Sequence, residues 1–272
     1  MLSDQEFTRI ATFLKGKYGI DMTDKKIIMN GRLENYVWTN GFSSFTEFMN
    51  AVETDMTGGY EKILVNLLTT NHTFFMRESE HFDYMKSDVI PWIKELEAKT
   101  RDMRIWCGAA STGEEPYGIA MMLMDALGLE AANWDTTVLA TDISEDALSK
   151  AMAGEYDEEQ VSVLPDYWRR RYFRQLPGTD RYKVTEELKG SVLYRKFNLM
   201  NPFPFKRPMH VIFMRNVMIY FDEPTKRELI DKIYNALLPG GYLFVGRTET
   251  IDRDNTDFEM VQPSIFRRPL DS

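Results

Sequence analysis

The chain has 272 residues, 43% of them hydrophobic and 28% charged, with 33 Lys+Arg against 42 Asp+Glu and a formal net charge of -9 at pH 7. That is the composition of an ordinary globular protein of one large or two moderate domains, and its acidity argues against non-specific nucleic-acid binding, which needs cations to displace phosphate counterions. A lone cysteine, Cys107, excludes an intramolecular disulfide framework. No apolar run reaches the ~18–20 residues of a membrane span, and MLSDQEFTRI lacks the charged-then-apolar pattern of a leader. A cytoplasmic protein with no direct membrane insertion is expected.

Residues 1–80 read as a helical domain. Ser3-Asp4-Gln5-Glu6 is a capping box, followed by Phe7, Ile10, Ala11, Leu14 and Tyr18 at helical spacing until Gly19. A second helix is predicted from Thr23 or Asp24 to Trp38, with Lys25 and Arg32 sharing a face and Lys26 alongside. A third starts at Ser43 or Ser44, and a fourth follows Gly58-Gly59. From residue 81 to 272, apolar β-type runs alternate with helices: Met103–Cys107, a helix from Glu115 to Leu127, Thr137–Ala140, and a helix opened by Ser144 and running to Ala153. His210–Met214, a helix Glu223–Leu238 and Tyr242–Gly246 continue the pattern, which predicts a doubly wound α/β sheet. Phe258–Val261 and Ile265–Arg268, joined by a Pro-Ser turn, must pair antiparallel. The stretch from about 167 to 194, including Ser191–Tyr194, reads as a small inserted antiparallel β subdomain.

Four segments carry chemistry. The turn Gly108–Pro116 follows a strand with small residues that allow a ligand against the backbone. It lacks Gly-Lys-Ser/Thr and the spacing G-x-G-x-x-G, and its carboxylates Glu114 and Glu115 suit a cationic ligand better than a pyrophosphate. Asp142 closes the second strand, where doubly wound folds hold ribose hydroxyls; it could instead cap the next helix, although Ser144 is the better cap. Asn216 and Tyr220 follow the His210–Met214 strand, and Asn198-Leu199 offers an edge and a face to an adenine. Thr69–Glu78, with Asn71, Thr73 and Arg77, is either a hinge or a lid whose guanidinium grips a carboxylate. His72, His81 and His210 show no ligand spacing, so no metal site is predicted.

Taken together, Asn71-x-Thr73-x-x-x-Arg77, Ala109–Tyr117, Ala140–Ile143, Asn198-Leu199 and Arg215–Phe221 closely resemble the chemotaxis receptor methyltransferases, the CheR family, over nearly the whole chain. The resemblance implies a class I S-adenosylmethionine methyltransferase fold, Rossmann-like with an antiparallel C-terminal strand pair, joined to an N-terminal helical domain. It implies S-adenosyl-L-methionine as cofactor, with S-adenosyl-L-homocysteine as product, bound by Asn71, Thr73, Arg77, Glu114, Asp142, Asn198, Leu199, Asn216 and Val217. The implied reaction esterifies the γ-carboxylate of glutamates on cytoplasmic chemoreceptor helices. Glu114 would pair with the cofactor's ammonium, and Arg77 and Tyr220 would orient the substrate carboxylate. Lys25, Lys26 and Arg32 would meet the acidic receptor helices. The loop Arg174–Tyr182 lacks the glycine run that one branch of the family uses to bind a receptor pentapeptide, so tether-independent recognition by a monomer is expected. A different methyl acceptor on the same fold, or a cofactor-binding adaptor without activity, are the competing readings.

Overall fold

A computed structural model describes residues 1–252 and 256–270. The helical half comprises α1 (Asp4–Tyr18), α2 (Lys26–Thr39), α3 (Phe45–Thr54) and α4 (Gly59–Leu68). The predicted capping box closes α1: the Ser3 hydroxyl accepts the Glu6 amide, and the Glu6 carboxylate accepts the Ser3 amide. Gly19, at φ 71°, ends the helix in the left-handed region that glycine tolerates. α2 starts two to three residues later than predicted because Asp21 accepts the Thr23 amide and Lys25 donates to the Met22 carbonyl, so residues 21–25 are spent in turns. Ser44 caps α3 through the Glu47 amide.

A helix of two α segments, α5 (Glu80–Tyr84) and α6 (Ile90–Leu96), joined by a π turn at Met85–Val89, leads into the sheet half. There α7 (Glu114–Leu127), α8 (Glu145–Ala153) and α12 (Glu223–Ala236) alternate with β1 (Ile105–Cys107), β2 (Val138–Asp142), β6 (Val192–Lys196), β7 (Met209–Met214) and β8 (Leu237–Val245). These five strands are parallel, and β9 (Glu259–Gln262) and β10 (Ile265–Arg267) add the antiparallel pair, giving the order β6-β2-β1-β7-β8-β10-β9. This is the doubly wound sheet that the alternation predicts.

The insertion differs from expectation. Its three strands are β3 (Glu155–Asp157), β4 (Phe173–Gln175) and β5 (Arg181–Val184), in the order β3-β5-β4. Short helices α9 (Glu158–Ser162) and α10 (Asp166–Tyr172) separate β3 from β4. Val192–Tyr194, assigned to the insertion by its β-type residues, belongs to β6 and pairs parallel with β2 from Val138↔Val192 to Asp142↔Lys196. The helix α11 (Glu186–Gly190), capped by Thr185, returns the chain to the main sheet. Glu155-Tyr156-Asp157 has no β signature of its own; it becomes a strand because β5 supplies its hydrogen-bond partners.

Both faces of the main sheet are buried, and each strand divides its side chains between them with period two. Ile105, Cys107, Val211, Phe213, Tyr242 and Phe244 face a core shared with α5–α7. Trp106, Ile212, Met214, Leu243 and Val245 face a second core that contains Ile10, Leu14, Leu33, Phe48 and Leu64 of the N-terminal helices. Leu229, Ile230 and Ile233 of α12 belong to the same core, so the helical half joins the sheet half in one continuous apolar cluster.

Candidate active site

A cleft opens where the carboxyl ends of β1, β2, β6 and β7 meet the N-terminal helices, about 1280 Å³ counted out to its open mouth. Short backbone ties hold its two walls together. Ile20 bridges to Phe221 and the Asp21 amide donates to the Tyr220 carbonyl at 2.8 Å, and the Asn198 side-chain Nδ2 adds a bond to the Lys17 carbonyl at 2.8 Å.

The floor is the turn between β1 and α7. Gly108 and Ala109 present backbone to the cleft, and a Cβ at Gly108 would lie 2.3 Å from the Met214 methyl. Gly113 combines φ 99° with neighbours that would meet a Cβ below 3 Å, the hydroxyls of Tyr156 and Tyr194 among them. At the end of β2, Asp142 accepts the Ser144 amide on one oxygen and the Ser111 amide on the other, both at 2.8 Å. Burial raises its carboxyl above the ordinary value, against the pull of those amides. A carboxylate has about four acceptor sites, so these amides leave it capacity for a ligand hydroxyl. Ser144 caps α8 as predicted, so Asp142 is not needed there.

The structure separates the two glutamates of this turn. Glu115 lines the cleft, accepting from the Cys107 thiol at 3.2 Å and from Arg215 at 2.7 Å. Glu114, the residue assigned to the cofactor, lies outside the cleft lining; it is 1% exposed and bonds to Thr112 and Gln160 at 2.6 and 3.1 Å. Successive helix residues point about 100° apart, so one of the pair must face away, and packing of the insertion's Gln160 decides which. Burial pushes the Glu114 carboxyl upward.

The remaining predicted residues Asn71, Thr73, Arg77, Asn198, Leu199, Asn216, Val217 and Tyr220 all line the cleft. The Asn71 carbonyl accepts the Ser111 hydroxyl at 3.0 Å, fastening the 69–78 loop to the floor. Arg77 donates to the His72 carbonyl at 3.1 Å and lies over Phe74, and among the described residues no carboxylate pairs with it. Arg215, which the sequence reading did not single out, is the opposite case. Its guanidinium is 1% exposed and bound by Glu115 at 2.7 Å, Glu78 at 3.2 Å and the Arg77 carbonyl. Burial works against the Glu78 charge, but Arg215 holds its carboxyl below the usual value. Asn198 is partly committed, since its carbonyl oxygen accepts the Met200 amide as its nitrogen binds Lys17. Ile143, Phe197, Leu199 and Val217 supply apolar lining.

The expected cationic face of α2 is split up. Lys25 lies at the cleft with its ammonium 5.5 Å from the centre of the Tyr220 ring. Arg32 turns inward to the Leu68 and Thr69 carbonyls and the Thr70 hydroxyl, at 2.9, 3.1 and 2.7 Å. Lys26 is outside the lining and pairs with Asp4 at 2.5 Å. Sequence spacing had put the three together; hydrogen bonds to unlike partners take them apart.

The donor set fits S-adenosylmethionine: a buried carboxylate for ribose hydroxyls, an apolar slot with amides for adenine, and a carboxylate and an unpaired guanidinium for the amino-acid end. Comparison with known proteins agrees. Residues 5–69 match the model of the CheR methyltransferase all-alpha domain, and residues 71–266 match that of the CheR methyltransferase SAM binding domain. The chain belongs to the CheR methyltransferase family. The chemotaxis protein methyltransferase of Borreliella burgdorferi is 38% identical over 98% of this chain and 95% of its own length. That of Escherichia coli is 33% identical over 97% and 91%, and chemotaxis protein methyltransferase 1 of Pseudomonas aeruginosa is 30% identical over 98% of each. A solved glycopeptide N-methyltransferase bound to sinefungin is far more remote, at 12% identity and a TM-score of 0.37 over 64% of this chain and 54% of that one.

As a CheR methyltransferase the chain is an enzyme that uses S-adenosylmethionine. Among the described residues no helix is long and apolar enough to cross a membrane, and no group of His, Cys, Asp and Glu is arranged to hold a metal ion.

Proposed function

We propose that this enzyme methylates the γ-carboxylate of glutamates on cytoplasmic helices of chemotaxis receptors, forming methyl esters. The observation that carries the reading is Arg77: of the cleft's three guanidiniums, Arg215 is matched by two carboxylates and Arg32 is taken up by the Leu68 and Thr69 carbonyls and the Thr70 hydroxyl, whereas Arg77 is half-buried and bonds within its own loop to the His72 carbonyl alone. That leaves it to receive a carboxylate from outside, belonging to cofactor or substrate.

S-adenosylmethionine supplies an activated methyl group on a sulfonium. The protein's own task is placement. A glutamate with an ordinary pKa of ~4.3 is already ionised at neutral pH, so no general base has to be built. Asp142 holds the ribose, Glu115 the ammonium, and Asn198, Leu199, Asn216 and Val217 the adenine side. Arg77 and Tyr220 orient the incoming carboxylate. Alignment of this kind is worth about 7–11 kcal/mol of barrier, and the ties between the α1–α2 turn and the Tyr220 segment hold the cleft walls in place for it.

Receptor recognition is assigned to the cleft mouth. Lys25 lies there beside Ile28, 50% exposed, with Ile27, 89% exposed, next in the first turn of α2. A cation among apolar groups suits an amphipathic acidic helix, and its charge steers the encounter. The turn Leu176–Asp180 of the insertion is a short hairpin closed by the Leu176 amide on the Arg181 carbonyl, which supports recognition without a pentapeptide tether.

The test is to incubate the protein with methyl-labelled cofactor and receptor cytoplasmic fragments, then treat with mild alkali. Release of volatile methanol is expected. Alkali-stable label would point to nitrogen methylation, and absence of incorporation would favour a non-catalytic adaptor.

A further inference from the structure

The turn after β8 carries a carboxylate with no cationic partner among the described residues. Glu249 is 7% exposed, and its oxygens are taken up by backbone N–H groups. Oε2 accepts Gly246 at 2.6 Å and Asn216 at 2.7 Å, and Oε1 accepts Met218 at 2.7 Å. Glu249 closes its own turn by donating its amide to the Gly246 carbonyl at 2.9 Å.

Two of those amides, Asn216 and Met218, belong to one segment, which runs from Asn216 and Val217 to Tyr220 along the cleft wall. Asn216 stands at φ 57°, a region that costs a non-glycine residue energy unless its surroundings enforce it. That conformation turns the Asn216 and Met218 amides toward a common point, the geometry by which backbone nests hold anions. Here the anion is a side chain from another loop. Gly246 completes the fit, because a Cβ there would lie 2.3 Å from the Asn216 side-chain nitrogen and 2.8 Å from Glu249 Oε2.

We propose that Glu249 is a positioning residue for methyl transfer: as an internal anion it holds the 216–220 segment in the conformation that presents Asn216, Val217 and Tyr220 to the bound reactants. The proposal rests on reading the cleft as the cofactor site.

Three variants test it, each measured for S-adenosylhomocysteine affinity by calorimetry, kcat and KM on a receptor fragment, and thermal unfolding. In Glu249→Gln one acceptor becomes a donor facing amide N–H groups. Loss of charged hydrogen bonds is then expected to weaken product binding and lower kcat by about tenfold each, with the protein still folded. Glu249→Asp keeps the charge and is expected to recover part of both. Glu249→Ala empties the nest, and added formate, which fits it, is expected to restore binding toward wild type. A lowered unfolding temperature with affinity and kcat unchanged per folded molecule would overturn the proposal, as would failure of all three variants to fold or the absence of rescue by both Asp and formate. Asp142→Ala separates the two readings. If it leaves product affinity intact, the cofactor site itself is misassigned; if it abolishes binding while Glu249→Gln does not weaken it, the positioning role alone fails.

Discussion

Glu115 and Glu114 are adjacent in the chain and chemically identical, yet one faces the cleft with Arg215 and the other sits beneath the insertion with Thr112 and Gln160. Their substitution should separate binding from folding. Glu115→Gln is expected to weaken S-adenosylhomocysteine binding by about 1.5–3 kcal/mol, the scale of a charged hydrogen bond, whereas Glu114→Gln should leave that affinity near wild type; calorimetry on both variants checks this, and the reverse order would return the ammonium to Glu114. Gly113 is constrained twice over, by its positive φ and by the tyrosine hydroxyls above it. Gly113→Ala should therefore destabilise the protein by more than the ~1–2 kcal/mol of the left-handed conformation alone, read as a shift in denaturant midpoint. At this scale the residue types were legible: Asp142, Asn216, Arg77 and their companions reach one cleft because strand ends and loops converge there. Which of two neighbouring glutamates points inward was not, because it depends on Gln160, far along the chain.

Among the elements, the contact of α1 with α12 ties the helical half to the sheet. Lys15 of α1 lies 2.8 Å from Asp222, which also caps α12 through the Thr225 amide at 3.1 Å. The Lys15 and Thr225 hydrogen bonds lower the Asp222 carboxyl from 3.8 to about 2. A carboxyl depressed in the folded state stabilises the fold above its unfolded pKa and loses that contribution as pH falls through the folded one. Wild type should lose stability between about pH 4 and pH 2 in part through this group, and Asp222→Asn, which can still cap the helix, should show a shallower loss; identical acid profiles by circular dichroism would remove the ion pair from the account. Caps and periodicity made most helices readable, as at Ser3, Ser44, Ser144 and Gly19. The insertion was harder, since Glu155–Asp157 becomes a strand through its partner and Val192–Lys196 joins the main sheet beside β2.

In the whole molecule, the second core unites Leu14, Leu33 and Phe48 with Trp106, Ile212 and Leu243. Removing α1–α4 would take away one side of that shared core, so the two halves should not unfold independently. A single calorimetric transition is expected for the full chain, with calorimetric and van't Hoff enthalpies agreeing; two separated transitions would show that the halves are stable apart. The same arrangement explains the site. The cleft lies at the seam of the two halves, and closing it requires the α1–α2 turn to bond to the Tyr220 segment.

By itself the sequence determined the alternation of strands and helices, the antiparallel end of the sheet, the cofactor and the family to which the chain belongs. Those follow from local propensity, side-chain periodicity and short motifs, all readable within a few turns of chain. The tertiary structure decided that Glu115 enters the cleft, that Lys25, Lys26 and Arg32 part company, and that Glu249 is held by amides from the Asn216 loop. Such outcomes depend on burial and hydrogen-bond partners many residues away, which no local pattern encodes.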